Sequence, residues 1–168
     1  SASSAGARTY GAGISLDQTG NCYIGGVFDG TTANFGTHTI TNNKPGGSNA
    51  FIAKYNSSGV DQWASNAVSG PEGNQTYCIT TDNAGNSYIS GWFTSPTVTF
   101  GGIVLNSSAY GDNIFLVKYN TSGQVTNAYA FKGSGMSGGY GNGICSDNNG
   151  NAYLTGYFEG TNVIFGST

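Results

Sequence analysis

Charge is what this sequence has least of. Asp, Glu, Lys and Arg make up 8% of 168 residues, against roughly a quarter in ordinary soluble domains. Five Lys+Arg stand against eight Asp+Glu, for a formal net charge of −3, so there is no basic stripe to neutralise phosphates and nucleic acid is not an expected partner. A surface of Ser, Thr, Asn and Gly stays hydrated without repelling its neighbours, and close packing of many copies carries little electrostatic cost. Histidine is nearly absent too: any Ser-His-Asp or Cys-His arrangement must pass through His38. With no paired carboxylates beside it, an enzyme is not expected. No apolar run approaches the length of a membrane span. Hardly any window places apolar residues at helical spacing, which predicts essentially no helix.

What is present is glycine (29 residues), Tyr (11) and Phe (9), a mixture that favours short strands and many turns. The organising stretch is Asp82-Asn83-Ala84-Gly85-Asn86-Ser87-Tyr88-Ile89-Ser90-Gly91-Trp92-Phe93. It recurs with the same internal spacing from Asp17 to Phe28 and from Asp147 to Phe158. One repeated unit therefore builds the chain. The reading is a single repeat domain over 1–168: a lead-in over 1–12, a first unit over 13–77, a second over 78–142 and half of a third over 143–168. The small, polar lead-in is expected to be loose or to form a strand pairing outside this chain.

Each unit opens with short alternation such as Ile14-Ser15-Leu16, which predicts a strand running into a turn. The turn is Asp-x-x-Gly-Asn: Asp17, Gly20 and Asn21; Asp82, Gly85 and Asn86; Asp147, Gly150 and Asn151. An Asp carboxylate accepts from amides two residues on, and Gly then Asn tolerates positive φ, so a tight hairpin is expected. A second strand follows, with Gly26, Gly91 and Gly156 midway marking a bulge or a close backbone approach. An excursion hairpin carries Phe35-Gly36, Phe100-Gly101 and Phe165-Gly166. The third strand is Phe51-Ile52-Ala53-Lys54-Tyr55-Asn56, repeated as Phe115-Leu116-Val117-Lys118-Tyr119-Asn120, and a turn and fourth strand close the unit. Four antiparallel strands per unit predict an all-β fold of β-propeller-like blades, each a four-stranded meander.

The pattern Ile-x-x-Asp-x-x-Gly-Asn-x-Tyr-[Ile/Leu]-x-Gly-x-Phe, then Phe-[Ile/Leu]-[Ala/Val]-Lys-Tyr-Asn-x-Ser-Gly, resembles the bacterial β-propeller repeats called SBBP repeats. The resemblance spans nearly all of the chain after Tyr10. It implies a propeller fold and an extracellular or cell-surface address, and attaches no catalytic residue, cofactor or metal. The chain begins Ser1-Ala2-Ser3-Ser4 without Met, as a processed export product or a fragment does. Known propellers close with roughly four to eight blades, so the fold is expected to be incomplete within one chain. Three outcomes stay open: a fragment of a longer protein, a ring closed by several chains, or head-to-tail continuation into a filament.

Candidate chemistry is weighed position by position. Asp17, Asp82 and Asp147 lack the alternating ligands of a calcium loop, and turn formation is the expected role. Lys54 and Lys118 occupy equivalent places and are expected as solvated surface side chains, with pairing to the turn Asp of their own or an adjacent blade as the other reading. His38, matching Ile103 in the second unit, is expected on a surface strand. Tyr23, Tyr88 and Tyr153, with Phe28, Phe93 and Phe158, alternate as packing between sheets requires, and the same holds for Trp92; sugar-stacking platforms are the other reading. Cys22, Cys78 and Cys145 fall at three different repeat positions, leaving one disulfide plus a free thiol, or three thiols, open. Sequons occur at Asn56, Asn74, Asn106 and Asn120, with Asn56 and Asn120 at turns where a glycan can be carried. The expected function is an exported, non-enzymatic structural protein whose partners are copies of itself; the alternative is a carbohydrate- or surface-binding propeller module.

Overall fold

The computed structural model describes residues 2–4, 8–42, 46–70, 72–107, 111–134, 138–160 and 162–164. Ser1, Ser108 of the third sequon, and the third Phe165-Gly166 pair lie outside them. All regular structure among the described residues is β, in antiparallel sheets with no helix.

The strands follow the repeat. The first unit contributes β1 (Ala2–Ser4), β2 (Thr9–Leu16), β3 (Cys22–Phe28), β4 (Thr32–Phe35), β5 (His38–Thr41), β6 (Asn49–Tyr55) and β7 (Asp61–Asn66). The second contributes β8 (Val68–Ser69), β9 (Asn74–Thr81), β10 (Ser87–Phe93), β11 (Thr97–Phe100), β12 (Ile103–Asn106), β13 (Asn113–Tyr119) and β14 (Val125–Ser134). Then come β15 (Gly138–Ser146), β16 (Ala152–Glu159) and β17 (Asn162–Ile164). The main sheets run β2-β3-β6-β7 and β9-β10-β13-β14, the latter extended by β17 on β14, and β15-β16 form a two-stranded start of the same arrangement. Beside each full sheet sits a hairpin, β4-β5 or β11-β12, paired to β1 or β8 respectively.

The lead-in differs from its expectation. Ala2–Ser4 pairs inside the chain, with Ala2 opposite Phe35, and β2 already begins at Thr9.

The sheets pack face to face in series. β9 lies across β2, β3 and β6, and β15 lies across β9, β10 and β13. Between the first two sheets, Ala50 and Ile52 from one side meet Ile79, Ile89 and Phe115 from the other, joined by Phe100 and Leu105 of the second hairpin. The first hairpin covers the opposite face of its own sheet with Phe35 and Ile40 against Phe28 and Phe51. Phe35 and Phe51 are tilted rings 4.7 Å apart, and Phe100 and Phe115 repeat the pair at 4.9 Å. Each fully buried Phe contributes on the order of 2–3 kcal/mol.

The register slips at the same place in every unit: between Gly11 and Gly13, Ser90 and Gly91, and Gly141 and Gly143. The glycine opposite each slip is there because the neighbouring backbone presses against its Cα. A Cβ at Gly26, Gly91 or Gly156 would run into the carbonyl oxygen of Tyr10, Gln75 or Tyr140. Gly91→Ala is therefore expected to lower unfolding free energy by about 2 kcal/mol or more in urea denaturation. Gly11→Ala, where a Cβ meets nothing within 4 Å, is the control and should stay within about 0.5 kcal/mol of wild type.

Candidate functional site: the turn lock between repeats

The Asp-x-x-Gly-Asn turns are built alike. The Asp17 amide donates to the Asn21 carbonyl at 3.0 Å, and the Gly20 amide donates back to the Asp17 carbonyl at 3.0 Å. One carboxylate oxygen, Oδ1, accepts from the amides of Thr19 (2.9 Å) and Asn21 (3.0 Å). The other accepts from Asn21 Nδ2 at 2.7 Å and faces the Tyr23 hydroxyl at 3.2 Å. Asp82 repeats the set with Ala84, Asn86 and Tyr88, and Asp147 with Asn149, Asn151 and Tyr153. Gly20, Gly85 and Gly150 sit at φ of 80°, 78° and 80°, the left-handed region that favours glycine.

The tyrosine carries the turn's influence to the next unit. Tyr23 donates to the Gly85 carbonyl at 2.9 Å, and Tyr88 donates to the Gly150 carbonyl at 2.8 Å. A phenol has one proton, so its own carboxylate and the neighbour's carbonyl share it. A second line of bonds runs beside the first: Thr81 Oγ1 donates to the Leu16 carbonyl at 2.7 Å, and Ser146 Oγ donates to the Thr81 carbonyl at 2.9 Å. The lysines complete the lock in a way that differs from pairing with the turn carboxylates. Lys54 Nζ lies 5.1 Å from the centre of the Tyr23 ring and Lys118 Nζ 5.0 Å from that of Tyr88, a cation–π placement over electron-rich faces.

Electrostatics follow from these contacts. Partial burial works against the Asp17 charge, but the hydrogen bonds from Asn21 and Thr19 prevail and hold its carboxyl down at about 2. Asp82 is lowered in the same way against its burial, and Asp147 is lowered chiefly by Asn151. Burial, then the adjacent carboxylate, pushes the Tyr23 and Tyr88 phenols up.

Among the described residues this lock joins two pairs of successive units, and the outer faces are exposed. Tyr23 and Tyr88 are 0% and 3% exposed, whereas Tyr153, with no following glycine carbonyl among the described residues, is 57% exposed. Ile79 is 9% exposed against the first sheet, and its counterpart Ile14, which faces away from the second, is 68% exposed. Leu16 shares that outward face, while Tyr157 and Tyr129 stand exposed toward the other end.

The remaining candidates are placed apart from this line. His38 Nδ1 contacts Asp61 Oδ2 at 2.8 Å, and the same oxygen accepts from the Thr37 amide and hydroxyl at 2.8 and 2.6 Å. That cluster ties the first hairpin to β7; in the second unit Ile103 begins the matching strand and Val125 lies against Gly101, so the polar tie is replaced by apolar contact. All three cysteines are free: Cys22 half-buried, Cys78 buried and Cys145 exposed. Burial pushes the Cys78 thiol up to about 11. Trp92 packs edge-on to Tyr140. Asn56 and Asn120 act in their turns as the aspartates do in theirs, Asn56 Oδ1 accepting from the amides of Ser58 and Val60, and Asn120 Oδ1 from those of Ser122 and Gln124. What sequence reading missed is the bond across 62 residues, because its acceptor is a backbone carbonyl that no side chain marks.

Two outcomes are expected. Tyr88→Phe should cost about 1–2 kcal/mol in chemical denaturation by removing a buried donor from two acceptors, and Tyr153→Phe only a few tenths. On acidification, the lowered carboxylates contribute stability that is present above about pH 4 and lost as pH falls toward 2. The raised phenols contribute stability that is present below about pH 10 and lost above it. Thermal melts from pH 2 to 11 should show a plateau between those limits, with the acid limb shallower in Asp82→Asn; an unchanged acid limb in that variant would speak against the turn carboxylates as its source.

No family model matches this sequence, and no curated protein matches it.

Proposed function

We propose that this chain is a non-enzymatic structural protein, exported to the cell exterior, whose blades are continued by copies of itself into a ring or filament. The observation that carries the reading is the pair of successive junctions built from the same bonds, Tyr23 to Gly85 and Tyr88 to Gly150, flanked by two faces that have no counterpart among the described residues. A donor waits at one end, on Tyr153, and an acceptor at the other, on the Gly20 carbonyl. The contact is directional, so copies meeting this way join head to tail, closing a ring or propagating.

Further support comes from the sheets. The two complete ones share the antiparallel order β2-β3-β6-β7 and β9-β10-β13-β14, and β9 lies against both β2 and β15, as inner strands of propeller blades do. The resemblance to SBBP repeats supports the same blade reading and the extracellular or surface address. Sparse charge lets copies approach closely. A second reading, a carbohydrate-binding module, is favoured by the exposed rings of Tyr10, Tyr129, Tyr153 and Tyr157; loss of glycan-array signal on Tyr→Ala substitution would support it.

The test is sedimentation velocity with negative-stain microscopy at micromolar protein. Concentration-dependent rings or filaments are expected, abolished by Ile14→Asp on the outward face. A monodisperse monomer at every concentration would remove the proposal.

A further inference from the structure

The two junctions between units are built from equivalent positions, and at one corner they differ. Strand pairing sets the equivalence. Tyr10 lies opposite Val27, Gln75 opposite Trp92 and Tyr140 opposite Tyr157, so Tyr10, Gln75 and Tyr140 share one place in successive units, and Val27 and Trp92 share another. Ser48 and Asp112 correspond as well, each preceding the Asn that opens a third strand opposite Phe28 or Phe93. Arg8 and Asp29 correspond to Gly73 and Thr94, and the same backbone bond joins each pair, from the Asp29 amide to the Arg8 carbonyl at 3.1 Å and from the Thr94 amide to the Gly73 carbonyl at 3.3 Å.

At the second junction side chains close this corner. The Tyr140 hydroxyl donates to Asp112 Oδ2 at 2.6 Å, and its ring sits edge-on to Trp92 with centres 6.3 Å apart. At the first junction the same three places hold Gln75, Ser48 and Val27. Each is smaller than its counterpart, and a cavity of about 190 Å³ stands there. The first junction is not loosely packed elsewhere: Trp63 clamps Tyr119, the rings stacked with centres 6.1 Å apart.

The walls of this cavity gain polar groups where the volume opens. In place of Gly73 and Thr94 stands an ion pair, with Arg8 Nε 3.3 Å from Asp29 Oδ2 and the Arg8 amide donating to Asp29 Oδ1 at 2.6 Å. The guanidinium carbon lies 5.8 Å from the centre of the Tyr10 ring, which is 51% exposed. Buried Val27 and Phe28 supply apolar surface, and half-buried Ser48 and Gln75 a hydroxyl and an amide.

These groups fit one class of ligand. The ion pair carries no net charge, so it gives a charged ligand no advantage. Its guanidinium donates and its carboxylate accepts, and a ligand hydroxyl does both. An aromatic ring beside apolar surface takes the C–H face of a saturated ring. The volume falls below the ~300 Å³ of sites for drug-sized molecules, which suits one ring and excludes a buried chain of them. We infer that this corner between the first and second sheets is a binding site for a single neutral sugar ring, its C–H face against Tyr10 and Val27 and its hydroxyls bonded to Asp29, Arg8 and Gln75. The site deepens the carbohydrate-binding reading, on which it rests, and is independent of assembly.

The test titrates the full chain with the methyl glycosides of glucose, galactose, mannose, fucose and N-acetylglucosamine, read by saturation-transfer NMR and calorimetry. At least one should bind saturably, with a Kd in the millimolar range that suits so small a ligand. Gln75→Tyr, which gives the first junction the aromatic side chain of the second, should abolish binding, and Tyr10→Ala should weaken it about tenfold. Asp29→Asn keeps an acceptor for the Arg8 amide and should weaken binding about fivefold. No saturable binding of any glycoside by the wild type up to ~100 mM would overturn the site, as would binding that survives all three substitutions. The readings fail separately. Glycan-array signal that depends on Tyr129 or Tyr157 and not on Gln75 sinks this site and keeps the carbohydrate-binding module, whereas absence of all glycan binding sinks both.

Discussion

The structure depends on a tyrosine hydroxyl placed between its own turn and the next one. At Tyr23 and Tyr88 the phenol meets the carboxylate that organises its hairpin and, at 2.9 and 2.8 Å, the glycine carbonyl of the following hairpin. The local fold of one unit is thereby fixed to the position of another. Gly85 and Gly150 stand where the turn meets the preceding unit. The turn needs positive φ, and the preceding unit comes into van der Waals contact: a Cβ at Gly85 would lie 3.5 Å from Asp17 Oδ2, besides 3.2 Å from Thr121 of its own unit, and one at Gly150 3.4 Å from Tyr88 Oη. At Gly20, which faces no earlier unit, a Cβ would meet only Ser57.

A chain with few charges holds its units together by neutral hydrogen bonds, aromatic packing and two lysines spread over rings. Each such bond contributes about 1 kcal/mol net, so the junction gains its strength from repetition along the face. The same contacts explain the exposed side chains. Ile14 and Tyr153, the counterparts of the buried Ile79 and Tyr88, are exposed because no further sheet packs against them among the described residues.

The antiparallel all-β architecture was legible because its causes are local. Alternation in Ile14-Ser15-Leu16, Asp and Gly at fixed offsets, and the mid-strand glycines all act within a few residues. The junction was not legible. The Tyr23 acceptor is a backbone carbonyl 62 residues away. Lys54 and Lys118 read as surface lysines or as partners for carboxylates, and the carboxylates already accept from Asn21 and Asn86. The Trp63 clamp on Tyr119 occurs in one unit only, with Asn127 opposite Lys118 in the other, so no repeated signal announced it. Asn56 and Asn120 drew notice as sequons, while their oxygens serve as turn acceptors. The strand at Ala2–Ser4 has no side-chain signature at all.

If the junctions are what stabilise the chain, protection must rise toward the strands that have a neighbouring sheet on both faces. Native-state hydrogen exchange, resolved strand by strand, measures this directly. Amides of β9 and β10, enclosed by the first sheet and by β15, should exchange last and together, and those of β16 orders of magnitude sooner. Equal protection across all strands, or slowest exchange in β16, would contradict the account.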